Sequence, residues 1–290
     1  MIIFKYAEPL ARYIQQQKAA KKQTGFVPTM GALHSGHIAL IDRSKQETSV
    51  TVCSIFVNPT QFNNAADYQK YPTTIEQDIA RLEAAGCDVL FLPSIEEMYP
   101  KGTAGLEQYD LGYLETLLEG KYRPGHFQGV CQVMNRLLTM VQPHKLFMGQ
   151  KDYQQCMVVS RLLQLMQSPT ELITCPTLRE ADGLAMSSRN LRLLPEARQK
   201  ATTIYKCLTL IKQECNQGVA WPVIKEKAMQ LLTDAGFTID YVELADANTL
   251  QPAHATMATI YQGPRVALIA AFLQDVRLID NMLLSEATRQ

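Results

Sequence analysis

From residue 24 to residue 175, short apolar runs rich in β-branched residues alternate with stretches whose apolar residues recur every three or four positions. The run SVTVCSIFVN, 49–58, is almost unbroken and stops at Asn58-Pro59, the pattern of a strand buried on both faces. A strand near 24–28, CDVLFLP at 87–93, KLFM at 145–148 and ELITC at 171–175 are of the same kind. Between them, HFQGVCQVMNRLLTMV (126–141) places Val130, Val133, Met134, Leu137, Leu138 and Val141 on one helical face. A helix is predicted after His34, with Ser35 as a suitable cap. Another follows the capping-box spacing of Thr73-Thr74-Ile75-Glu76 and ends near Gly86. A third runs from about Asp152 to Met166.

Strands alternating with helices predict an α/β fold, a Rossmann-like doubly wound parallel sheet whose strand C-termini share one ligand-binding edge. After Pro176 the pattern changes. Two helical stretches, about 195–216 and 221–235, precede FTIDYVELAD, RVALIAAF and DVRLIDN, which read as strands joined by short turns. The expected organisation is a Rossmann-like domain over 1–177, followed by a smaller α+β domain with an antiparallel sheet over 178–290.

Composition narrows the function classes. Lys+Arg 28 balance Asp+Glu 28, so no broad affinity for nucleic acid or anionic lipid is expected. The N-terminal MIIFKYAEPLARYIQQQ lacks the apolar core of a signal peptide, and the run VALIAAFL is far short of the ~20 residues a membrane span needs. Seven cysteines show no paired spacing and sit mostly in apolar segments, which predicts a reduced, cytoplasmic chain.

The chemistry-bearing residues cluster just after predicted strands. His34 and His37 flank Ser35 and Gly36 where a helix begins, and a helix N-terminus attracts phosphate. Spacing alone leaves open whether they face an anion or merely cap and pack. A zinc site would need further ligands, and no Cys or acidic cluster completes the set. Lys151, in GQKDYQQ, follows KLFM directly, with Gln155 one helical turn further on. On this pattern alone an ordinary helix start, with Asp152 as N-cap and Lys151 solvated, is the favoured reading. Ser187, Ser188 and Arg189 offer hydroxyls and a guanidinium suited to phosphates, or an ordinary capped loop. Arg123 and His126 precede a helix in KYRPGHFQG. Gln61 lies in the turn after the 49–58 strand, where Asn-Pro-Thr is simply a good turn sequence. The phosphate loop, the G-x-G-x-x-G fingerprint, the G-x-S-x-G elbow and H-E-x-x-H are all missing from the sequence.

In this order, PTMGALHSGH, SIFVNPTQF, YRPGHFQGV, FMGQKDYQQ and READGLAMSSRN resemble the pantothenate synthetase (pantoate–β-alanine ligase) family over most of residues 25–195. HSGH resembles the H-x-G-H signature of the wider nucleotidyltransferase superfamily, and MSSR its second phosphate-binding loop. The resemblance implies an AMP-forming ligase that activates pantoate as an adenylate with ATP and Mg²⁺, then joins it to β-alanine. It further implies that Met30, Gly31, Ala32, Leu33, His34, Ser35, Gly36 and His37 line the ATP site, His37 being the proton donor to the leaving group. Gly149, Gln150, Lys151 and Asp152, with Met186, Ser187, Ser188 and Arg189, would close on ATP, and the backbone of Leu178 would hold the adenine edge. His34, Lys151 and Arg189 join His37 as the catalytic set. Gln61 and Gln155 would bind pantoate, Gln61 also meeting β-alanine, in a homodimer. Two departures are Leu178, where the family commonly has Val, and Thr73 of YPTT, where it usually has Arg.

Two rival readings remain. A nucleotidyltransferase acting on a phosphate ester would release pyrophosphate but never AMP. A non-catalytic ATP-binding regulatory module would tolerate loss of His37 or Lys151, yet both positions are filled.

Overall fold

The computed structural model describes residues 1–63, 65–253 and 263–284, and the chain divides into two compact units, Met1–Leu178 and Arg179–Gln290. The first is built on six strands, β1 (Ile2–Phe4), β2 (Thr24–Thr29), β3 (Val50–Ile55), β4 (Val89–Phe91), β5 (Lys145–Gly149) and β6 (Glu171–Cys175). They pair throughout in parallel, in the order β1-β4-β3-β2-β5-β6. The predicted doubly wound sheet is therefore present. β3 is buried at every position, as its unbroken apolar run requires. One face of the sheet is sealed by Val27, Cys53, Leu90 and Phe147 against Leu40 and Ile41 of the helix Ser35–Glu47 and Leu82 of the helix Ile75–Ala84.

The strand order reverses at β2. From it the chain builds outward through β3 and β4, then returns after the helix His126–Val141 to lay β5 and β6 on the other side. Ligands of such sheets bind at this switch point, outside the strand C-termini. The register opens room there. β2 pairs with β3 along its whole length but meets β5 near its start, at Gly25↔Lys145 and Phe26↔Leu146. The carbonyl of Thr29 accepts from Phe56 on the β3 side, so Pro28, one residue earlier, turns its backbone toward the β5 side. A proline is tolerated in this central strand because its missing N–H lies where the ladder to β5 has ended.

The second unit has an antiparallel sheet, β7 (Phe237–Asp246), β8 (Arg265–Leu273) and β9 (Val276–Leu283), in that order. Ile204, Leu208 and Ile211 of the helix Thr203–Asn216 and Ile224, Ala228 and Leu232 of the helix Trp221–Asp234 share a core with Val242, Ile269 and Leu278 of the sheet. The expected α+β arrangement is thus found.

Local readings differ from the structure in four places. The stretch read as one helix over about 195–216 is two, Pro195–Ala201 and Thr203–Asn216, meeting at Thr202. Ser35 is not a cap: it is the first helical residue, and His34 occupies the N-cap. No capping box forms from Thr73: the N-cap is Thr74, whose hydroxyl turns to Asp78 Oδ1 at 3.2 Å. Asp152 stands at the N-cap of the helix Tyr153–Leu165 but makes no side-chain cap bond, because a 3-10 turn, Gln150–Asp152, leads into the helix. All seven cysteines are free, and six are buried. Among the described residues no helix is long and apolar enough to cross a membrane.

The helix Ser35–Glu47 lies so close to β2 that a Cβ on Gly25 would stand 2.2 Å from Ser44 Oγ, 2.7 Å from Thr48 Oγ1 and 3.0 Å from the ring of Phe147. Gly25→Ala is therefore expected to cost about 1–3 kcal/mol of stability. The readout is a lower denaturant midpoint at unchanged slope.

Candidate active site

β2 must end and the chain must turn sharply to enter the next helix. Gly31 (φ 83°) and Ala32 (φ 48°) make that turn in the left-handed region, which alanine adopts only under constraint. The constraint comes from Asp78. Its carboxylate, fully buried, accepts from the Ala32 N–H at 2.9 Å and the Leu33 N–H at 2.8 Å. A Cβ on Gly31 would lie 3.2 Å from the same carboxylate and 3.1 Å from Ile55, so the loop has little spare room. Sequence reasoning missed Asp78. Its partners lie 45 and 46 residues away, and no local pattern announces them.

The turn delivers His34 to the N-cap of the helix Ser35–Glu47. His34 Nδ1 accepts from the Gly36 N–H at 3.1 Å, and His37 Nδ1 accepts from the His34 N–H at 3.3 Å, a reciprocal cap made by two imidazoles. Their ring centroids are 4.0 Å apart. A neutral ring whose Nδ1 accepts carries its proton on Nε2. Both histidines thus keep an Nε2–H donor for other use. Burial, reinforced by Lys151, pushes His34 down to about 4, with Asp152 opposing and Arg81 adding to the fall. Burial pushes His37 well below the ordinary histidine value, with His34 and Lys151 adding to it. Lys151, on the turn leaving β5, therefore lies within electrostatic reach of both rings. The β2 and β5 loops, far apart in sequence, form one positively poised corner at the switch point.

Gln61 sits beside this corner. Its Nε2 donates to Met30 Sδ at 3.0 Å, and its Oε1 accepts from Asn58 Nδ2 at 3.2 Å. Asn58 is itself buried and takes a hydrogen bond from Tyr99 Oη at 2.7 Å. Of the two adjacent glutamines at the start of the helix Tyr153–Leu165, Gln154 is buried. It bonds Glu119 N, Leu114 O and Leu117 O, whereas Gln155 stays half-exposed on the turn after Lys151. Leu178 follows β6, its side chain 41% exposed.

Met186, Ser187, Ser188 and Arg189 belong to the second unit. Ser187 Oγ caps the 3-10 turn Ser188–Arg192 by accepting from Arg189 N at 3.3 Å, and Ser188 is buried. The hairpin leading to them is anchored by Arg179, which grips Asp280 at 2.5 and 3.1 Å and stacks over Tyr205 at 4.6 Å. No group of three or more His, Cys, Asp or Glu side chains among the described residues is arranged to hold a metal ion.

A parallel sheet whose switch point carries a histidine-capped helix N-terminus and an adjacent lysine defines a nucleotide-binding α/β protein of the nucleotidyltransferase kind. Comparison with known proteins specifies which kind. The pattern of the Pantoate-beta-alanine ligase family matches residues 2–283, and the chain belongs to that family. A pantothenate synthetase of Pseudomonas fluorescens is 44% identical over 282 residues, covering 97% of each chain. One of Bacteroides fragilis is 43% identical over 270 residues, 93% of this chain and 94% of its own. The crystal structure of pantothenate synthetase from Thermus thermophilus superposes with a TM-score of 0.88 at 40% identity, over 99% of this chain and all of that one. That of the Francisella tularensis pantoate-beta-alanine ligase, complexed with beta-gamma ATP and beta-alanine, gives 0.81 at 36% identity over 99% of both. The family's reaction is the AMP-forming ligation of pantoate and β-alanine to pantothenate through a pantoyl adenylate.

Two outcomes follow from this geometry. Asp78→Ala strands two buried N–H groups, so it should cost roughly 1–3 kcal/mol and speed hydrogen exchange at Ala32 and Leu33 selectively. Unchanged exchange at both would show that the loop holds itself. The neutral histidines also make stability pH-dependent. In the unfolded chain they take up a proton near pH 6.5, but His34 in the folded chain only near 4. Their contribution is full above about pH 6.5 and is lost as the pH falls toward 4. His34→Asn, which can still cap but does not titrate, should flatten the fall in urea midpoint between pH 7 and about pH 4.5.

Proposed function

We propose that this corner of the first unit performs both half-reactions of the ligase. The observation that carries the proposal is the convergence of His34, His37 and Lys151 at the switch point, with Gln61 in contact with Met30 of the same loop. The triphosphate of ATP lies at the N-terminus of the helix Ser35–Glu47, where the helix dipole favours anions. Met30 through His37, Gly149, Gln150, Lys151 and Asp152 surround it, and the backbone of Leu178 holds the adenine edge. Met186, Ser187, Ser188 and Arg189 of the second unit supply further contacts to the phosphates.

In the first step a carboxylate oxygen of pantoate, held by Gln61 and Gln155, attacks the α-phosphorus. The bond to the bridging oxygen breaks, and pyrophosphate leaves. Lys151 and Arg189 offset charge repulsion between the two anions, while the Nε2–H of His34 and of His37 donate to phosphate oxygens, His37 toward the departing group. Neutral donors suit this role because their direction is fixed by the cap. In the second step the amine of β-alanine, admitted beside Gln61, attacks the acyl carbonyl; the carbon–nitrogen bond forms, the nitrogen gives up a proton to solvent, and AMP leaves with its bond to the acyl carbon broken.

A Mg²⁺ entering with ATP would meet Asp152, the carboxylate that lies within electrostatic reach of His34. When bound, it neutralises charge on the polyphosphate. Family membership and the free, buried cysteines support a homodimer working in the cytoplasm.

The test supplies Mg·ATP and labelled pyrophosphate, with and without pantoate and without β-alanine. Label should enter ATP only when pantoate is present, and later addition of β-alanine should yield AMP and pantothenate. His37→Ala and Lys151→Ala should each lower the exchange rate about a hundredfold or more with the fold intact. Normal exchange in either variant would remove that residue from the mechanism.

A further inference from the structure

We infer that His126 is a positioning residue for pantoate, acting through the main chain of Gln61; this rests on the assignment of Gln61 to the pantoate site. Gln61 ends the 3-10 turn Pro59–Gln61, which the helix His126–Val141 supports from beneath. His126, 5% exposed, donates from Nδ1 to the Gln61 carbonyl at 2.8 Å across 65 residues of sequence. Because Nδ1 must carry the proton here, this ring is in the opposite tautomer to His34 and His37 if neutral. Arg123 Nη2 approaches the same carbonyl at 3.4 Å.

One helical turn further on, Gly129 shows how tightly the parts fit. A Cβ there would stand 2.2 Å from the Thr60 carbonyl oxygen and 2.8 Å from Gln61 Cα. The Gly129 carbonyl in turn accepts from Asn58 Nδ2 at 3.1 Å, and the same Nδ2 donates to Gln61 Oε1 at 3.2 Å. The backbone of Gln61 is thus fixed by His126, and its side chain by Asn58 and Met30. Without the Nδ1 bond only the longer Arg123 contact, at 3.4 Å, would hold the carbonyl, and its rotation would carry the amide away from the orientation that a hydroxy acid would meet. None of the contacts assigned to ATP passes through this carbonyl, so the defect falls on pantoate, and on the β-alanine admitted beside Gln61, and not on ATP.

Three variants separate this role from packing. Asparagine places an amide nitrogen where Nδ1 was; glutamine places its own near Nε2, and leucine has none. In steady-state assays His126→Leu and His126→Gln should raise KM for pantoate about tenfold or more, with KM for ATP within about twofold of the parent. His126→Asn should restore most of the loss. A folded His126→Leu with parental KM for pantoate overturns the inference. So does a parallel rise in both KM values that His126→Asn fails to rescue. If His126→Leu does not fold, equal KM for pantoate in His126→Asn and His126→Gln overturns it. Pantoate-dependent pyrophosphate exchange in the parent protein is the control: its absence overturns the functional reading as well, whereas its presence beside unaffected variants overturns the clamp alone.

Discussion

A carboxylate without direct access to water must be satisfied by donors, and Asp78 meets this requirement with the N–H groups of Ala32 and Leu33 and the hydroxyl of Thr74. This arrangement fixes the geometry of everything downstream. Held from beneath, the chain can pass through two successive left-handed residues, one of them an alanine, and still arrive at a helix N-terminus in a single orientation. The histidine cap follows from that arrival. So does the direction of the two Nε2–H bonds, because each ring's Nδ1 is already engaged by the backbone. A side chain on one helix thus determines where donors point on another.

Lysine and histidine differ in what they bring to this corner. Lys151 brings a full charge on a flexible stem, good for attraction but poor in direction. The histidines bring direction without charge, since burial and the lysine together keep them neutral. Were they cationic, Nδ1 would become a donor aimed at backbone N–H groups, and the cap that orients them would break. The low proton affinity and the capping geometry are therefore one property seen twice. The cost is a fold that weakens as acid protonates these rings.

The elements legible in the sequence were those with local determinants. β3 and the helix His126–Val141 were readable because burial on both faces, or on one helical face, is written in consecutive residues. The strand–loop–helix around His34 was readable for the same reason. What stayed hidden depends on contacts across the fold. Asp78 looks like any acid in a first helical turn. Ser35 is a good cap by type, yet the left-handed turn before it advances the helix by one residue and gives the position to His34. Periodicity put Gln155 on the Lys151 side, and the structure supplies the complement: its neighbour Gln154 is taken up inside, bracing the segment around Leu114–Glu119. His126 was visible as a candidate, but its partner, a main-chain carbonyl, has no sequence signature.

The same design recurs in the loop of the second unit. There Asp280, buried on β9, accepts two bonds from Arg179, whose guanidinium also donates to the carbonyls of Gly183 and Asn281 and stacks on Tyr205. Gly183 lies so near that ring that a Cβ would come within 2.1 Å of it. In each unit a buried acid, supplied by another element, holds the root of a loop, at Ala32 and Leu33 in the first and at Arg179 in the second. An acid in that place does two things at once. It satisfies donors that would otherwise lose their partner, and it ties the loop to a second element of the same unit. Each loop therefore keeps one path at its root, set by a contact remote in sequence: Asp78 reaches back 45 and 46 residues to Leu33 and Ala32, and Asp280 reaches 101 residues to Arg179.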